Sequence, residues 1–300
     1  MTDKAFKRVA IQAQLGHEEI KNTLKELIAF VHGCGIEVLL DERNAQLLGN
    51  SEATTVDFQT LAETADLVII VGGDGTMLGS SRDFADYDVP LLGVNRGRLG
   101  FLTDILPDDI TNRVGRVLAG EYSETRRFLL ELNTTRNGKS IGTGTALNDV
   151  VLHPGKSIRM MEFELYIDKQ FVYSQRSDGL IVSTPTGSTA YALSAGGPIM
   201  HPNLNALVLV PMNAHTLTSR PIAIPSDCSV DILVGARNEV HPLVTCDGQH
   251  DISTQPGDII SICRHPNQIR MLHPAEHNFY EICRTKLGWG SRLDNQKSKP

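Results

Sequence analysis

Leu67-Val-Ile-Ile-Val71 runs without a break into Gly72-Gly73-Asp74-Gly75-Thr76. Five apolar residues in a row, most of them β-branched, predict a strand buried on both faces, as in a parallel sheet. Three glycines around one aspartate then predict a tight turn whose main chain approaches an anion closely, and a helical pattern restarts at Thr76 and continues to about Ala85. A strand that enters a helix through such a turn gathers backbone N–H groups and a helix N-terminus in one place, which suits phosphate. No Gly-Lys-Ser/Thr follows, so this is not a P-loop. Leu78 stands where the third glycine of G-x-G-x-x-G would fall, which disfavours a hydride-transfer dinucleotide site. The plainer alternative is an ordinary βα turn in which Asp74 caps the helix.

Upstream of this stretch, Val9 to Ala13 is a short apolar strand. Glu18 to His32 carries Ile20, Leu24, Leu27, Ile28 and Val31 at helical spacing before Gly33-Cys-Gly35 stops it. Glu37 to Leu40 predicts a second strand, Leu61 to Ala65 a helix, and Pro90-Leu-Leu-Gly-Val94 the next parallel strand. The alternation predicts an N-terminal open, mostly parallel, Rossmann-like α/β sheet with its ligand crevice beyond the carboxyl ends of the strands. From about Phe128 the period changes to two. Phe163, Leu165 and Ile167 alternate with polar residues, and short apolar runs recur at Leu180 to Val182, Leu207 to Val210, Val230 to Val234 and Ile259 to Ile262. This second region reads as a C-terminal all-β, sandwich-like domain. Asp294 to Pro300 is polar and is expected to be a disordered tail.

Composition bounds the function. At 300 residues, with 41% hydrophobic and 21% charged, the chain favours two domains. The formal charge is 28 − 35 = −7 with no dense basic block, which makes nucleic acid a poor partner; Arg126-Arg127 reads as a solvated strand entry. Five scattered cysteines form no C-x-x-C pair, no apolar run approaches the ~20 residues of a membrane span, and the N-terminus lacks an h-region; together these favour a reducing cytoplasm without membrane attachment. Five of the ten histidines precede proline (His153, His201, His241, His265, His273). With no H-E-x-x-H and no histidine pair read at ligand spacing, they are expected in turns and at strand edges, and no dedicated metal site is expected.

Val71-Gly-Gly-Asp-Gly-Thr-Met-Leu78 resembles the GGDG signature that NAD kinases share with diacylglycerol and sphingosine kinases and, more loosely, with phosphofructokinases. Three more blocks, Gly93 to Asp104, Ala146 to Leu152 and Ser177 to Pro198, resemble NAD kinases specifically, in order and separation, as does Thr285-Lys-Leu-Gly-Trp289. The resemblance covers nearly the whole chain. It implies an α/β domain over 1–126 carrying the glycine loop, a mostly-β dinucleotide-binding domain over 127–275, and a segment over 276–300 that returns to the first domain.

By the same resemblance Asp74 matches the catalytic aspartate, Gly72, Gly73 and Gly75 its phosphate and dinucleotide loop, and Phe101 an aromatic near the adenosine. Asn148 and Asp149 match the pair that hydrogen-bonds the dinucleotide, with Asp149 one methylene shorter than the family's usual Glu. Thr189, Ala190, Tyr191, Ala192, Leu193 and Ser194 match the stretch that holds adenine and its ribose. Arg176 and Asp178 match residues that enter from a neighbouring subunit, and Arg159 and Gln249 border the ligand. The implied activity is transfer of a phosphoryl group from ATP, carried with Mg²⁺ or another divalent cation, to NAD, in a homodimer or homotetramer with a shared site. Other triphosphates or polyphosphate stay open as donors. Residue chemistry agrees, since adenine needs an aromatic wall and a few amide or hydroxyl partners, and sugar hydroxyls suit carboxylates. Singly, each residue also has a core or turn reading; their joint occurrence after the glycine loop favours the site. The alternatives are a lipid kinase of the same superfamily and a non-catalytic NAD-binding sensor.

Overall fold

The computed structural model describes residues 6–13, 18–49, 52–97, 100–157, 159–216, 218–239 and 241–289. The expected tail, Asp294 to Pro300, lies outside them. The chain falls into two compact units. One takes in the residues up to Thr125 and those from Ile269 onward, and the other is Arg126–Gln268.

The first unit begins with β1 (Arg8–Ala13), α1 (Glu18–Gly33), β2 (Glu37–Asp41), α2 (Glu42–Leu48), β3 (Thr54–Val56), α3 (Phe58–Thr64), β4 (Leu67–Val71), α4 (Asp74–Asp83), β5 (Leu91–Val94) and α5 (Ile110–Leu118). Its strands are parallel, in the order β3-β2-β1-β4-β5. The order reverses between β1 and β4, so the ligand crevice of such a sheet opens beyond the carboxyl ends of these two strands, and β4 leads into the glycine turn. Every residue of β4 is buried, as an unbroken apolar run requires. Ile20, Leu24, Leu27, Ile28 and Val31 of α1 pack against Val9, Ile11, Val38, Leu40 and Ile69 of the sheet. The sequence reading missed α2 and β3 and shortened α3. Both helices start from an aspartate whose side chain caps them: Asp41 accepts from Asn44 N–H and Asp57 from Thr60 N–H, each at 2.8 Å.

The second unit follows through β6 (Tyr122–Arg136), β7 (Lys139–Ala146), β8 (Asp149–His153), β9 (Met161–Ile167), β10 (Gln170–Ser177), β11 (Gly179–Ser183), α6 (Tyr191–Ser194), β12 (Ala206–Met212), β13 (Ile222–Pro225), β14 (Val230–Val234), β15 (Leu243–Cys246), β16 (His250–Ser253) and β17 (Ile259–Pro274). One layer holds β10-β9-β14-β17 with β6 and β7, and the other has the order β13-β12-β11-β8-β15-β16. Phe163, Leu165, Val230, Ile232 and Ile260 of the first layer meet Val150, Leu152, Leu180, Val182, Leu207 and Leu209 of the second in one apolar cluster, which makes the unit a sandwich. The outer face of the second layer is covered as well. Val151, Ile181, Val208 and Val210 there pack with Met200 and with Ala192 of α6, so β11 is buried along its whole length.

Both β6 and β17 are longer than the sequence suggested, and each carries the chain from one unit to the other. In the first unit the end of β17 pairs in parallel with β5, Met271 to Leu91 and Leu272 to Leu92, and is followed by α7 (Phe279–Leu287). Arg127 corrects the sequence reading: it is buried, with Nε and Nη1 lacking hydrogen-bond partners, and burial pushes its guanidinium down to about 10. Among the described residues no helix is long and apolar enough to cross a membrane.

Candidate active site

Close packing builds the strand-to-helix passage. Gly72 N–H donates to the Val94 carbonyl at 2.9 Å, and a Cβ on Gly72 would lie 2.3 Å from Thr76 Oγ1, so the neighbouring threonine excludes any side chain there. Gly73, in extended conformation, is the N-cap of α4, and its carbonyl accepts the Thr76 and Met77 amides at 3.0 and 3.1 Å. Gly73 is therefore the cap and Asp74 the first residue of the helix, so the carboxylate does not serve as the N-cap.

That carboxylate is held from several sides. Oδ1 accepts from Leu102 N–H at 3.0 Å and from Thr103 Oγ1 at 3.2 Å, while Oδ2 accepts from Phe101 N–H at 2.9 Å. The Lys286 ammonium, on α7, lies 3.8 Å from Oδ2 and 5.1 Å from the centroid of the Phe101 ring. Gly100 leaves the space, because a Cβ there would meet Asp74 Oδ1 at 2.0 Å. Buried Asn95 fixes the segment by donating Nδ2 to the Thr103 carbonyl and hydroxyl at 3.2 and 2.8 Å. A carboxylate oxygen offers about two lone-pair sites. Oδ1 is thus filled, and among the described residues Oδ2, on a side chain 32% exposed, accepts one hydrogen bond and keeps room for one more donor.

The second unit holds a cavity of about 910 Å³ lined by Asn148, Asp149, Asp178, Ala190, Tyr191 and Ser194. Asp247 and Gly248, both in the left-handed region (φ 51° and 63°), turn β15 into β16. This turn aims the Asp247 carboxylate at the amides of Leu147, Asn148 and Asp149, at 3.0, 2.8 and 3.2 Å. Gly187 presses on the same backbone, where a Cβ would lie 2.2 Å from the Asn148 carbonyl oxygen, and Thr184 Oγ1 donates to the Leu147 carbonyl at 2.6 Å.

Asp149 is buried. Its burial first, and the charge of Asp247 second, push its carboxyl up to about 7. A carboxyl group that is partly protonated near neutrality both donates and accepts, which matches sugar hydroxyls. Asp178 Oδ2 accepts from Asn213 Nδ2 at 2.8 Å, and Tyr191, half exposed at the start of α6, gives the cavity an aromatic edge. The cavity is large enough to admit a nucleoside, and its lining offers polar partners and one aromatic edge.

Residues 9–122 match the family model for the ATP-NAD kinase N-terminal domain and residues 147–273 that for the ATP-NAD kinase C-terminal domain. The chain belongs to the NAD kinase family. The NAD kinase of Azotobacter vinelandii is 54% identical over 288 residues, which are 96% of this chain and 98% of that protein. That of Pseudomonas aeruginosa is 52% identical over the same length and shares. Among solved structures, yeast NADH kinase complexed with NADH superposes with a TM-score of 0.86 at 24% identity, covering 100% of this chain and 94% of that one. An Archaeoglobus fulgidus NAD kinase in complex with ATP gives 0.70 at 23%, covering 94% and 97%. At these identities the two structures speak for the fold alone.

As an NAD kinase family member, the chain distributes its expected site residues unevenly. Phe101 sits beside Asp74 and Lys286 in the first unit and does not line the nucleoside-sized cavity. Ala192 belongs to the apolar cluster behind α6, and Thr189 turns its hydroxyl to the Thr186 carbonyl at 3.4 Å, so both support the cavity wall without lining it; partly buried Leu193 does not line it either. Gln249 is exposed on the turn after Gly248. Arg159 and Arg176 line a separate cavity of about 540 Å³ with Arg237 and Glu162, where Arg159 pairs with Glu239.

The sequence reading missed Lys286, Asp247 and a buried cluster of Asp104, His273 and His277. His273-Pro-Ala-Glu-His277 carries an i, i+4 histidine pair that was the available signal for the last of these.

Proposed function

We propose that this chain transfers the γ-phosphoryl group of ATP to the 2′-hydroxyl on the adenosine side of NAD, giving NADP. The carrying observation is Asp74: the first residue of a helix that follows a glycine turn, held by three donors, with Oδ2 open. Phosphoryl transfer through a loose transition state asks a protein mainly for in-line positioning and charge stabilisation. A carboxylate is far too weak a base to ionise a sugar hydroxyl before attack, so Asp74 orients the hydroxyl through Oδ2 and takes its proton late. Lys286, beside Oδ2, supplies positive charge where a phosphoryl oxygen would lie, and the cavity of the second unit recognises the nucleoside.

Of the Asp74 oxygens, one already accepts two hydrogen bonds, which fits a divalent cation that arrives on the triphosphate better than one resident in a carboxylate cage. When bound, Mg²⁺ neutralises charge on the transferring phosphate.

We also propose a homo-oligomer, dimer or tetramer, in the cytoplasm. Arg176 stands apart from the nucleoside cavity of its own chain, as a residue destined for a neighbour's site would, whereas Asp178, expected to enter with it, lines that cavity; none of the five cysteines is in a disulfide. Incubation of the purified protein with ATP, Mg²⁺ and NAD should yield NADP. Binding of NAD without turnover would mean a sensor, and labelling of a lipid in place of NAD would mean a lipid kinase. Subunits carrying Asp74→Asn mixed with subunits carrying Arg176→Ala should recover activity if the site is shared.

A further inference from the structure

Asp104 follows directly on the segment whose amides and hydroxyl hold Asp74, and it is almost completely buried. Its Oδ2 faces two imidazoles, His277 Nδ1 at 2.6 Å and His273 Nδ1 at 3.1 Å, whose rings stack at 3.9 Å between centroids. Its Oδ1 has no hydrogen-bond partner, so the charge of this buried carboxyl rests on the two histidines. Burial alone would raise the Asp104 carboxyl, but the hydrogen bonds and charge of His273 and His277 outweigh it and hold the group well below the usual carboxylate range. An ionised carboxylate only accepts, so both Nδ1 atoms carry the proton, and the Thr125 hydroxyl at 3.1 Å is left as the partner of His273 Nε2.

The cluster joins two arms that converge on one group. Asp104 ends the arm that presents the Phe101 and Leu102 amides and the Thr103 hydroxyl to Asp74. His277 directly precedes Asn278, which caps α7 by accepting from the Tyr280 and Glu281 amides at 3.0 and 3.2 Å, and α7 carries Lys286 to Asp74.

We infer that the buried His273–Asp104–His277 cluster is a positioning device for phosphoryl transfer, locking the 101–103 segment and α7 so that Asp74 and Lys286 keep their relative placement. These three residues act through others and are not catalytic residues. The inference rests on the reading of Asp74 given above. A bound metal ion is the competing use of such a cluster, but separations of 2.6 and 3.1 Å are hydrogen-bond lengths, shorter than the roughly 3.3 Å between ligand atoms that tetrahedral bonds of about 2.0–2.1 Å impose.

The test compares His277→Ala, His277→Asn and Asp74→Asn in steady-state NADP formation, with thermal melts to confirm folding. His277→Ala should lower kcat by ~10- to 100-fold, the scale of a small misplacement of reacting groups, while the KM for NAD moves less than about threefold. His277→Asn, whose amide N–H can stand in for Nδ1–H, should recover kcat to within about threefold of wild type. A folded His277→Ala enzyme with kcat within about twofold of wild type overturns the inference, as does a loss that His277→Asn fails to rescue.

Should His277→Ala fail to fold, Thr125→Val carries the test. It weakens only the outer contact to His273 and should lower kcat ~3-fold at constant KM; an unchanged kcat overturns the inference. One equivalent of transition metal in the dialysed wild-type enzyme would also overturn it in favour of a metal site. Asp74→Asn separates the two levels. If that variant keeps its turnover, the reading of Asp74 fails; if it is inactive while His277→Ala is normal, only the positioning role fails.

Discussion

Asp74 in the first unit and Asp149 in the second are both carboxylates with expected roles toward one substrate, and the fold treats them in opposite ways. Asp74 is part-exposed, takes three hydrogen bonds and has an ammonium nearby, so its position is overdetermined and its charge balanced. Asp149 is buried beside a second carboxylate, Asp247, whose oxygens are spent on three backbone amides, so its charge is opposed and its proton is held up to about neutrality. Under the proposed function, the contrast suits the chemistry that each carboxylate would do. Transfer of a phosphoryl group needs an anion fixed to within fractions of an ångström. Recognition of sugar hydroxyls needs a group that donates or accepts as the ligand demands.

The largest effect should come from Asp74→Asn, which keeps the shape but removes the proton acceptor and turns one accepting oxygen into an NH2 group facing a backbone amide. We expect kcat for NADP formation to fall ~10²- to 10⁴-fold with the KM for NAD within about tenfold. Near-normal turnover would erase the distinction between the two carboxylates.

Next in size is a pair of glycine substitutions, one in each region. Gly100→Ala drives a methyl onto Asp74 Oδ1 and should lower kcat by ~10²-fold with little change in the KM for NAD. Gly187→Ala drives one onto the Asn148 carbonyl and should mainly raise that KM. If both variants changed the same parameter, the two regions would not divide chemistry from recognition. Smaller again, Tyr191→Ala removes the aromatic edge of the cavity and should raise the KM for NAD ~10-fold at nearly constant kcat, as expected for a lost base-stacking platform worth about 1–3 kcal/mol. Unchanged KM would take the ring out of the site.

Elements whose signal is local were legible in the sequence. β4 is an unbroken apolar run, α1 has clean helical spacing, and β9 alternates strictly, so sheet, helix and sandwich layer could each be read from a few neighbours. The glycine loop was legible for the same reason. What escaped was held by distance along the chain. Lys286 reaches Asp74 from beyond the whole second unit's sequence, Asp247 reaches the 147–149 amides from the turn after β15, and His273 and His277 reach Asp104 from beyond that unit as well. Arg127 escaped because a charged pair next to a strand ordinarily points to water, and here the strand continues through it into the core.

The smallest effect is on stability, and it tests the buried state of Asp149 directly. Well below pH ~4 the group is protonated in folded and unfolded chains alike, and it favours neither. From there to about 7 the unfolded chain ionises while the folded one keeps its proton, so stability falls as pH rises, and above about 7 the cost is complete. A shift of this size corresponds to at most ~4 kcal/mol. Asp149→Asn removes the titration while keeping the shape, so its melting temperature relative to wild type should rise between pH 5 and pH 8 by a few degrees. Thermal melts of both proteins at the two pH values, without nucleotide, decide it. A difference that stays constant with pH would mean that Asp149 is ionised in the folded chain like an ordinary surface carboxylate, and the contrast with Asp74 would then be one of geometry alone.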